Sequence, residues 1–362
     1  MKPNLSEQPG DEIFPNTAGS RQAAMTWVEY LPKVELHLHL EGAIPHPALW
    51  ELVQKYGGDS TIPDLPALVR RFEYRDFPHF IETWIWKNQF LREYDDFTFI
   101  AEAVAKDLAQ QNIRYTEVFF SPPDFAHHGL HTQSLAVAIR KGFSRVSGIE
   151  IALIADLVRD FGPEKAAITL AEVNEVRDQG IIGVGIGGSE QQYPPELFEK
   201  VFEQAQQLGF HTTAHAGEAA GALSIWGAIR SLHVERIGHG TRAEEDPALL
   251  DYLVEQRIPL EMCPISNLCT GVVQSAEQHP VRRYFERGLV VTISSDDPKM
   301  FGNSLADEYR LLEEKLGFTP QQVCTLILQG IRSAWLPQER KSRLIEEFQQ
   351  HPAWMRLGSQ QA

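Results

Sequence analysis

Eight short segments rich in valine, isoleucine and leucine recur along the chain, and stretches with helical periodicity separate them. This alternation is typical of parallel βα units. Eight such units are the number that closes a (β/α)8 TIM barrel, in which a ring of helices surrounds a barrel of parallel strands. The predicted strands span residues 34–40, 115–122, 150–157, 180–188, 211–218, 236–240, 259–267 and 290–298.

The interval between the first two predicted strands is much longer than the others, which are roughly 20 to 35 residues each. The excess predicts extra helices inserted after the first strand, at the end of the barrel where such enzymes build their sites. Five apolar residues of the insertion share one predicted helical face: Phe77, Phe80, Ile81, Trp84 and Ile85. That stripe indicates either a lid over a pocket or an amphipathic helix packed on the barrel.

The two ends of the chain differ in character. Residues 1–25 are polar and rich in proline and glycine, which predicts a flexible N-terminal arm, and residues 26–362 form a single predicted barrel domain. After the eighth strand, three stretches with helical periodicity predict additional helices at the C-terminus.

Net charge indicates which kind of partner the protein binds, and cysteine content indicates the compartment in which it folds. The formal net charge of −16 disfavours nucleic acid and anionic lipid, so a small molecule is the expected partner. No run of about 18 apolar residues predicts a membrane span. Only Cys263, Cys269 and Cys324 are present, without a paired motif, which indicates a reducing, cytoplasmic setting.

The first predicted strand carries two histidines where a core strand would carry apolar residues. Strand side chains alternate between faces, so His37 and His39 point to the same side of VELHLHL. Two imidazoles at this spacing, at the C-terminal end of a barrel strand, can chelate one metal ion. Ordinary packing of buried histidines is the alternative.

Complementary polar residues end other predicted strands. They are His215, Glu218, His239, Asp296 and Asp297. A parallel barrel brings the C-terminal ends of its strands to one face, so these side chains can surround one ion. His37, His39, His215 and Asp296 would make a three-histidine, one-aspartate set suited to a single zinc, which activates water. Glu218 is then placed to move protons, and His239 to orient the attacking hydroxide.

Two other patterns carry less information. GVGIGG satisfies the glycine spacing of dinucleotide-binding proteins, but it falls in the fourth strand rather than in an N-terminal βαβ unit. Its glycines are interpreted as positions where a substrate approaches the main chain closely. The histidines of AHHGLH, at 127, 128 and 131, are interpreted as a surface loop.

The ordered motifs HLHLEGA, GGSE, HAGE, RIGHGTR, CPISN and SSDDP together resemble the adenosine deaminase family, one of the metal-dependent amidohydrolases. The match covers roughly residues 30 to 340. The resemblance implies that His37, His39, His215 and Asp296 bind zinc, and that catalysis replaces the 6-amino group of a purine by oxygen, with release of ammonia.

The resemblance also assigns the remaining roles. It implies that Glu218 protonates ring nitrogen N1, that His239 positions the attacking hydroxide, and that Asp297 hydrogen-bonds N7. The main chain of Gly188 is expected to meet N3. The substrate-contacting residues are therefore expected to be His39, Glu41, Gly188 and Asp297.

Departures from the family pattern concern the sugar side of the substrate. Many adenosine deaminases carry aspartate where this chain has Glu41, whereas adenine and aminodeoxyfutalosine deaminases often have glutamate there. The segment SSDDPKMFGNSL is more similar to the nucleoside branch of the family than to the adenine branch. Gly185 occupies the place of the acid in the usual DLAGxE motif.

The expected activity is zinc-dependent deamination of adenosine or an adenosine-like nucleoside. Adenine and 6-amino-6-deoxyfutalosine are the close alternatives, and another amidohydrolase reaction or a non-catalytic binding barrel the remote ones. Deaminases that act on bases within nucleic acid combine HxE with PCxxC, and the sequence has no PCxxC, which favours a free purine compound. The sequence indicates no particular oligomeric state.

Overall fold

The computed structural model describes residues 26–74 and 77–359, so the predicted N-terminal arm, 1–25, lies outside the described residues. All eight predicted strands form, and each pairs in parallel with its neighbour in chain order, which confirms the TIM barrel. Their bounds are β1 Lys33–His39, β2 Ile113–Phe120, β3 Glu150–Asp156, β4 Ile181–Gly185, β5 His211–Ala216, β6 Arg236–His239, β7 Leu260–Met262 and β8 Val291–Ile293.

The barrel closes between its first strand and the segment that follows its last. Leu38 and Asp296 form a parallel bridge there. The N–H of His39 donates to the Asp296 carbonyl at 2.9 Å, and the N–H of Asp296 donates to the His37 carbonyl at 3.1 Å. The hydroxyl of Ser294 accepts from the His37 N–H at 3.1 Å. Closure therefore depends on main-chain groups of residues that the sequence analysis assigned to a metal site.

Helices surround the barrel and fill the insertion after β1, as predicted. In the described residues, the α-helices are α1 Trp27–Tyr30, α2 His46–Lys55, α3 Leu65–Arg70, α4 Phe77–Asn88, α5 Tyr94–Gln110, α6 Thr132–Phe143, α7 Gly162–Glu175, α8 Glu199–Gln207, α9 Ala222–Arg230, α10 Pro247–Gln256, α11 Pro264–Cys269, α12 Val281–Arg287, α13 Pro298–Phe301, α14 Leu305–Leu316, α15 Pro320–Ser333, α16 Gln338–Gln349 and α17 Pro352–Ser359. Short 3-10 helices span Glu41–Ala43, Pro122–His128, Arg159–Phe161, Arg177–Gln179, Pro195–Phe198, Ala243–Glu245 and Ala276–Gln278. None of the described helices is both long and apolar enough to cross a bilayer.

Local sequence signals account for the C-terminal helices. Ser304 caps α14 by accepting from the N–H of Asp307, and Gly317 ends that helix in the left-handed conformation. Thr319 and Gln322 form a capping box at the start of α15. Helix α15 then packs against β8 and β1, on either side of the point where the barrel closes.

Many charged side chains lie in the interior of the barrel, alongside apolar ones such as Phe119. Along β1, the residues that alternate with Leu36 and Leu38 are ionisable, and all are buried. The interior also holds buried charged residues of β2, β6 and β7. The buried acidic and basic residues of these four strands are Lys33, Glu35, His37, His39, Glu117, Arg236, His239 and Glu261. Barrel interiors are usually filled by branched apolar side chains, so this composition marks a site rather than a core.

The buried face of helix α4 differs from the face that its apolar stripe predicts. Ile81 and Ile85 are 38% and 64% exposed, whereas Trp86 and Lys87 are buried. The Trp86 indole N–H donates to Asp59 at 2.8 Å, which fixes that face of the helix inward. The predicted face is thus wrong for the two isoleucines, because a hydrogen-bonded indole and a buried ammonium decide the rotation of α4.

The aromatic half of the stripe does pack over the active-site end. The ring of Phe80 stacks on Phe301 with centroids 5.4 Å apart. Phe301 ends α13, which follows the SSDDP segment directly. Trp84 lies under the Lys87 ammonium, 3.8 Å from the ring centroid. The side chain of Phe77 lies outside the described side chains, so its predicted position is untested.

Candidate active site and metal centre

Four side chains from three strand ends meet at the closing point of the barrel. Nε2 of His37 lies 3.0 Å from Nε2 of His215, and Nε2 of His39 lies 3.3 Å from the same atom. Oδ1 of Asp296 is 3.5 Å from His37 Nε2 and 3.4 Å from His39 Nε2. One ligand atom from each of the four lies within 4.8 Å of the others. Three imidazole nitrogens and one carboxylate oxygen directed at one point are a typical divalent-metal donor set.

The charges of these groups also fit a bound cation. Burial lowers the pKa of His39 to about 3 and that of His215 well below its usual value, so both imidazoles keep a free lone pair. Burial also lowers the pKa of His37, but hydrogen bonds with Asp296 and Glu261 outweigh burial and raise it to about 10. The site thus favours a positive charge between His37 and Asp296, where a metal ion would supply one.

A second, overlapping set of possible ligands consists of His239, Cys263 and Asp296. Burial raises the pKa of the Cys263 thiol well above its usual value. A thiol must lose its proton to bind metal well, so this set is the weaker candidate. The residues that best fit a metal remain His37, His39, His215 and Asp296, which are called the metal-binding set below.

Backbone conformation at two site residues is unusual. Asp296 and His239 both have positive φ, at 63° and 61°. Non-glycine residues adopt this left-handed region at a cost, and such residues concentrate at functional sites. At Asp296, the two main-chain hydrogen bonds to β1 hold the residue in that conformation while its carboxylate faces the histidines.

Glu218 and His239 lie beside the metal-binding set. Nε2 of His239 is 3.6 Å from a carboxylate oxygen of Glu218 and 4.0 Å from Oδ2 of Asp296. The Asn267 amide lies 3.3 Å from Nδ1 of His239 and can donate to it, which leaves the imidazole N–H on Nε2, facing these carboxylates. Burial lowers the pKa of His239 to about 4, so its ring is neutral at pH 7.

The loop that carries Glu218 is held by a residue with no predicted role. One carboxylate oxygen of Glu190 accepts from the N–H of Gly217, and the other accepts from the N–H groups of Glu218, Ala219 and Ala220 at 3.2, 2.8 and 2.9 Å. Glu190 is the last residue of the GGSE motif and is buried. The motif itself was the available signal, although a motif does not say which atoms its acid binds.

The protonation of Glu218 follows from its surroundings. Burial, with the nearby charges of Asp296 and Glu190, raises the pKa of Glu218 to about 8. The side chain keeps 22% of its surface exposed, so it reaches the space above the metal-binding set. A carboxyl group that is protonated near pH 7 is suited to general acid catalysis.

The remaining predicted residues line the rim around this centre. Asp297 is buried, and its Oδ1 would collide with a Cβ on Gly42, at 1.7 Å, so only glycine fits there. Burial and the charge of Asp296 raise the pKa of Asp297 well above its usual value. Glu41 is 1% exposed, and one of its oxygens accepts from the Ser121 N–H at 3.1 Å.

Gly188 lies on a separate loop, where its conformation requires glycine. Its φ is +102°, and an added Cβ would lie 2.0 Å from Asp160 Oδ2. No contact joins it to the metal-binding set among the described side chains. The other two glycines of the GxGxxG pattern, Gly183 and Gly185, lie within β4 rather than at a turn into a helix. The position of Gly188 as a substrate contact stays a prediction.

Two charged residues near the rim escaped the sequence analysis. Asp156 ends β3 as the register partner of Gly185, so a carboxylate stands beside the place where the family motif has its acid. Its Oδ1 accepts from the Gly187 N–H at 2.9 Å. Lys87 donates to the Glu41 carbonyl at 2.8 Å. Neither residue carries a motif signal, because each reaches the site only through packing.

The histidine-rich loop lies apart from the metal-binding set, as interpreted. His127 and His128 end a 3-10 helix, with ring centroids 3.9 Å apart. His127 is exposed, and neither residue belongs to a group of described side chains that could hold a metal.

Comparison with known proteins now identifies the family. Residues 32–351 match the family model described as adenosine deaminase. The chain belongs to the adenosine deaminase family. The match spans all eight strands, so it includes the segments that bear the converging histidines and carboxylates. The predicted family is confirmed, and the protein is an enzyme that hydrolytically deaminates its substrate.

Individual relatives in the adenosine deaminase family carry different names. An aminodeoxyfutalosine deaminase from Streptomyces coelicolor is 35% identical over 332 residues, covering 90% of this chain and 86% of the relative. An adenine deaminase from Bordetella avium is 37% identical over 310 residues, covering 85% and 98%. A crystal structure of an amidohydrolase from Burkholderia ambifaria with bound zinc superposes with a TM-score of 0.84 at 28% identity, covering 96% of this chain and 98% of that one.

Proposed function

We propose that the protein uses zinc to hydrolyse the 6-amino group of an adenosine-like purine nucleoside, giving the 6-oxopurine and ammonia. The observation that carries this proposal is the convergence of His37, His39, His215 and Asp296 next to Glu218 and His239. The zinc in the Burkholderia ambifaria amidohydrolase supports the choice of metal.

Each protein group has a step that matches its geometry. Zinc, when bound, lowers the pKa of a water molecule toward about 7 and so makes a nucleophile available. Glu218, protonated below about pH 8, gives its proton to a ring nitrogen, which makes the aromatic carbon open to attack. The Nε2 N–H of His239 would donate to the attacking oxygen and so orient it toward the ring carbon.

Two buried oxygens on the rim support a nucleoside as substrate. Oε2 of Glu41 and Oδ1 of Asp297 find no hydrogen-bond donor among the described residues, although both atoms are buried. Buried polar atoms nearly always have a partner. Asp297 is expected to meet the purine ring, and a sugar hydroxyl would satisfy Glu41. The acidic charge of the chain favours such a neutral compound over nucleic acid or a membrane surface as the partner.

The relatives support two variants of this substrate. The similarity to an aminodeoxyfutalosine deaminase favours an aminodeoxyfutalosine-like nucleoside. Glutamate instead of aspartate at position 41 agrees with either variant. The similarity to an adenine deaminase favours the free base as the second candidate. A substrate hydroxyl that donates to Oε2 of Glu41 would favour a nucleoside over the free base.

Ammonia release measured side by side tests the proposal. The zinc-loaded protein is given adenosine, 2′-deoxyadenosine, adenine, 5′-methylthioadenosine and aminodeoxyfutalosine at equal concentrations. Preference for one of the nucleosides is the expected result. Preference for adenine would replace the nucleoside by the second candidate, and no turnover of any compound would refute 6-aminopurine deamination.

A single variant then tests the role of Glu41. Glu41→Asp shortens the side chain by one methylene, so its carboxylate moves away from the substrate group that it binds. We expect KM for the preferred nucleoside to rise while KM for adenine stays the same. An equal change in KM for the nucleoside and for adenine would show that Glu41 does not bind the sugar.

A further inference from the structure

A chain of buried charged side chains crosses the barrel interior and ends on the metal-binding set. Oε2 of Glu117 lies 2.5 Å from Nη2 of Arg236, whose Nε lies 2.5 Å from Oε1 of Glu261. Oε2 of Glu261 accepts from Nδ1 of His37 at 2.8 Å. All four side chains are at most 1% exposed. The last contact fixes the ring of His37 and directs its Nε2 toward the other ligands.

The segment that follows α15 holds the far end of this chain. The Ser333 carbonyl accepts from Nη1 of Arg236 at 3.0 Å. The main-chain N–H of Trp335 donates to Oε1 of Glu117 at 2.7 Å. The Trp335 ring covers the guanidinium of Arg236, whose central carbon is 3.5 Å from the ring centroid. Trp335 thus contacts Glu117 and Arg236, the two members of the charged chain that are farthest from His37.

The indole of Trp335 covers Arg236 beside a cavity. Trp335 and Arg236 line a cavity of about 550 Å³ at the end of the barrel where the strands begin. Arg236 remains buried there beneath the indole. Ion pairs weaken steeply when water raises the local dielectric constant. Removing the indole would therefore loosen Arg236, and through it Glu261.

We propose that Trp335 and Arg236 are positioning residues for the metal ligand His37. Trp335 holds Arg236 dry and in place, Arg236 orients Glu261, and Glu261 orients the imidazole of His37. Neither residue touches metal or substrate, so the effect is on metal affinity and on the geometry of the ligand set. The inference rests on the metal centre of the proposed function.

Burial of Glu117, Arg236, Glu261 and His37 is unfavourable because each group loses its contact with water. Burying each charge costs several kcal/mol, and apolar side chains of similar size often give equal or greater stability. A chain of charges that only filled the barrel would therefore gain nothing over the usual apolar layers. Orientation of a metal ligand is a function that apolar layers cannot provide.

The experiment compares Trp335→Leu with two other variants of the full chain. Trp335→Leu keeps apolar volume and removes the aromatic face, whereas Trp335→Phe keeps an aromatic ring. Trp226→Leu is the matched control, because Trp226 is also a half-buried indole stacked on an arginine. Arg230 lies 3.9 Å from its ring centroid. Trp226 contacts Tyr252 and Asp246 instead of the charged chain.

Two measurements report on the metal centre without substrate. Zinc affinity is measured by chelator competition, and the absorption spectrum of the cobalt(II) protein reports ligand geometry. Outer partners of metal ligands typically change affinity 10- to 100-fold. We expect Trp335→Leu to bind zinc about tenfold more weakly and to show a shifted cobalt spectrum, Trp335→Phe to recover most of both, and Trp226→Leu to match the wild type.

Other outcomes overturn the inference. Wild-type affinity and spectrum in Trp335→Leu would do so, as would an equal loss in Trp226→Leu, which would indicate general destabilisation. If Trp335→Leu does not fold, Arg236→Lys takes its place, because it keeps the charge and loses the fork that binds Glu117 and Glu261. Wild-type affinity in that variant would refute the role. Absence of zinc and cobalt binding in the wild type would refute the metal centre itself.

Discussion

His37 and Asp296 are joined twice, once through the main chain and once through their side chains. The Asp296 N–H donates to the His37 carbonyl at 3.1 Å, and Oδ1 of Asp296 lies 3.5 Å from Nε2 of His37. The first contact closes the barrel, and the second brings two candidate metal ligands together. Residues from the two ends of the barrel sequence therefore meet because the fold closes, and the site forms only in the closed barrel.

The variant Asp296→Asn tests the side-chain contact while it keeps the main-chain contact. Asp296→Asn keeps the main-chain hydrogen bonds, and asparagine tolerates positive φ, so we expect an unchanged circular dichroism spectrum. Loss of the carboxylate charge should weaken zinc binding at least tenfold, measured as metal content after dialysis. The neighbouring variant Asp297→Asn is the control and should keep its zinc. Full zinc occupancy in Asp296→Asn would remove this residue from the ligand set.

Glutamine at position 218 removes proton transfer without removing a ligand. We expect Glu218→Gln to keep zinc and its melting temperature, because Glu218 lies beside the metal-binding set rather than in it. Its kcat for ammonia release should fall roughly 100- to 10,000-fold. Glu203→Gln, on the exposed side of α8, should leave kcat unchanged. Near-normal turnover in Glu218→Gln would contradict the assigned role.

The activity should decline on the alkaline side as Glu218 loses its proton. Burial disfavours the charged carboxylate and raises the pKa of Glu218 to about 8, so the active, protonated form predominates below that pH. We expect log kcat/KM for the zinc-loaded enzyme to fall with a slope near −1 above about pH 8. Circular dichroism at each pH controls for unfolding. A flat profile to pH 9.5 would show that no proton on Glu218 is needed.

The stacked pair Phe80 and Phe301 connects α4 to the segment that bears Asp297. If α4 acts as a lid, Phe80→Ala should raise KM several-fold and leave zinc content unchanged, because the lost stacking frees α4 from the active-site end. Ile85→Ala, an exposed position of the same helix, is the matched control and should leave KM unchanged. Unchanged KM in Phe80→Ala would reduce α4 to a packing element.

Much of the site was predictable because strand alternation and barrel topology are strict. HLH places two imidazoles on one face of β1, and the strand ends of HAGE, GHG and SSDD must face the same opening. The residues that support these groups were not predictable. Glu190, Glu261 and Asp156 act through hydrogen bonds whose partners lie on other strands or loops, and no spacing along the chain encodes such pairs.

The rotation of α4 shows the same limit from the packing side. Its apolar periodicity predicts one buried face, yet Ile81 and Ile85 are exposed and Lys87 is buried. The sequence by itself determined the eight-stranded barrel, the family and the four side chains that converge as candidate metal ligands, because these depend on local periodicity and motif order. The tertiary structure alone decided that Trp335 covers Arg236 and that Arg236 reaches His37 through Glu261. Buried charges must find partners wherever folding brings them, and distance along the chain does not constrain that choice.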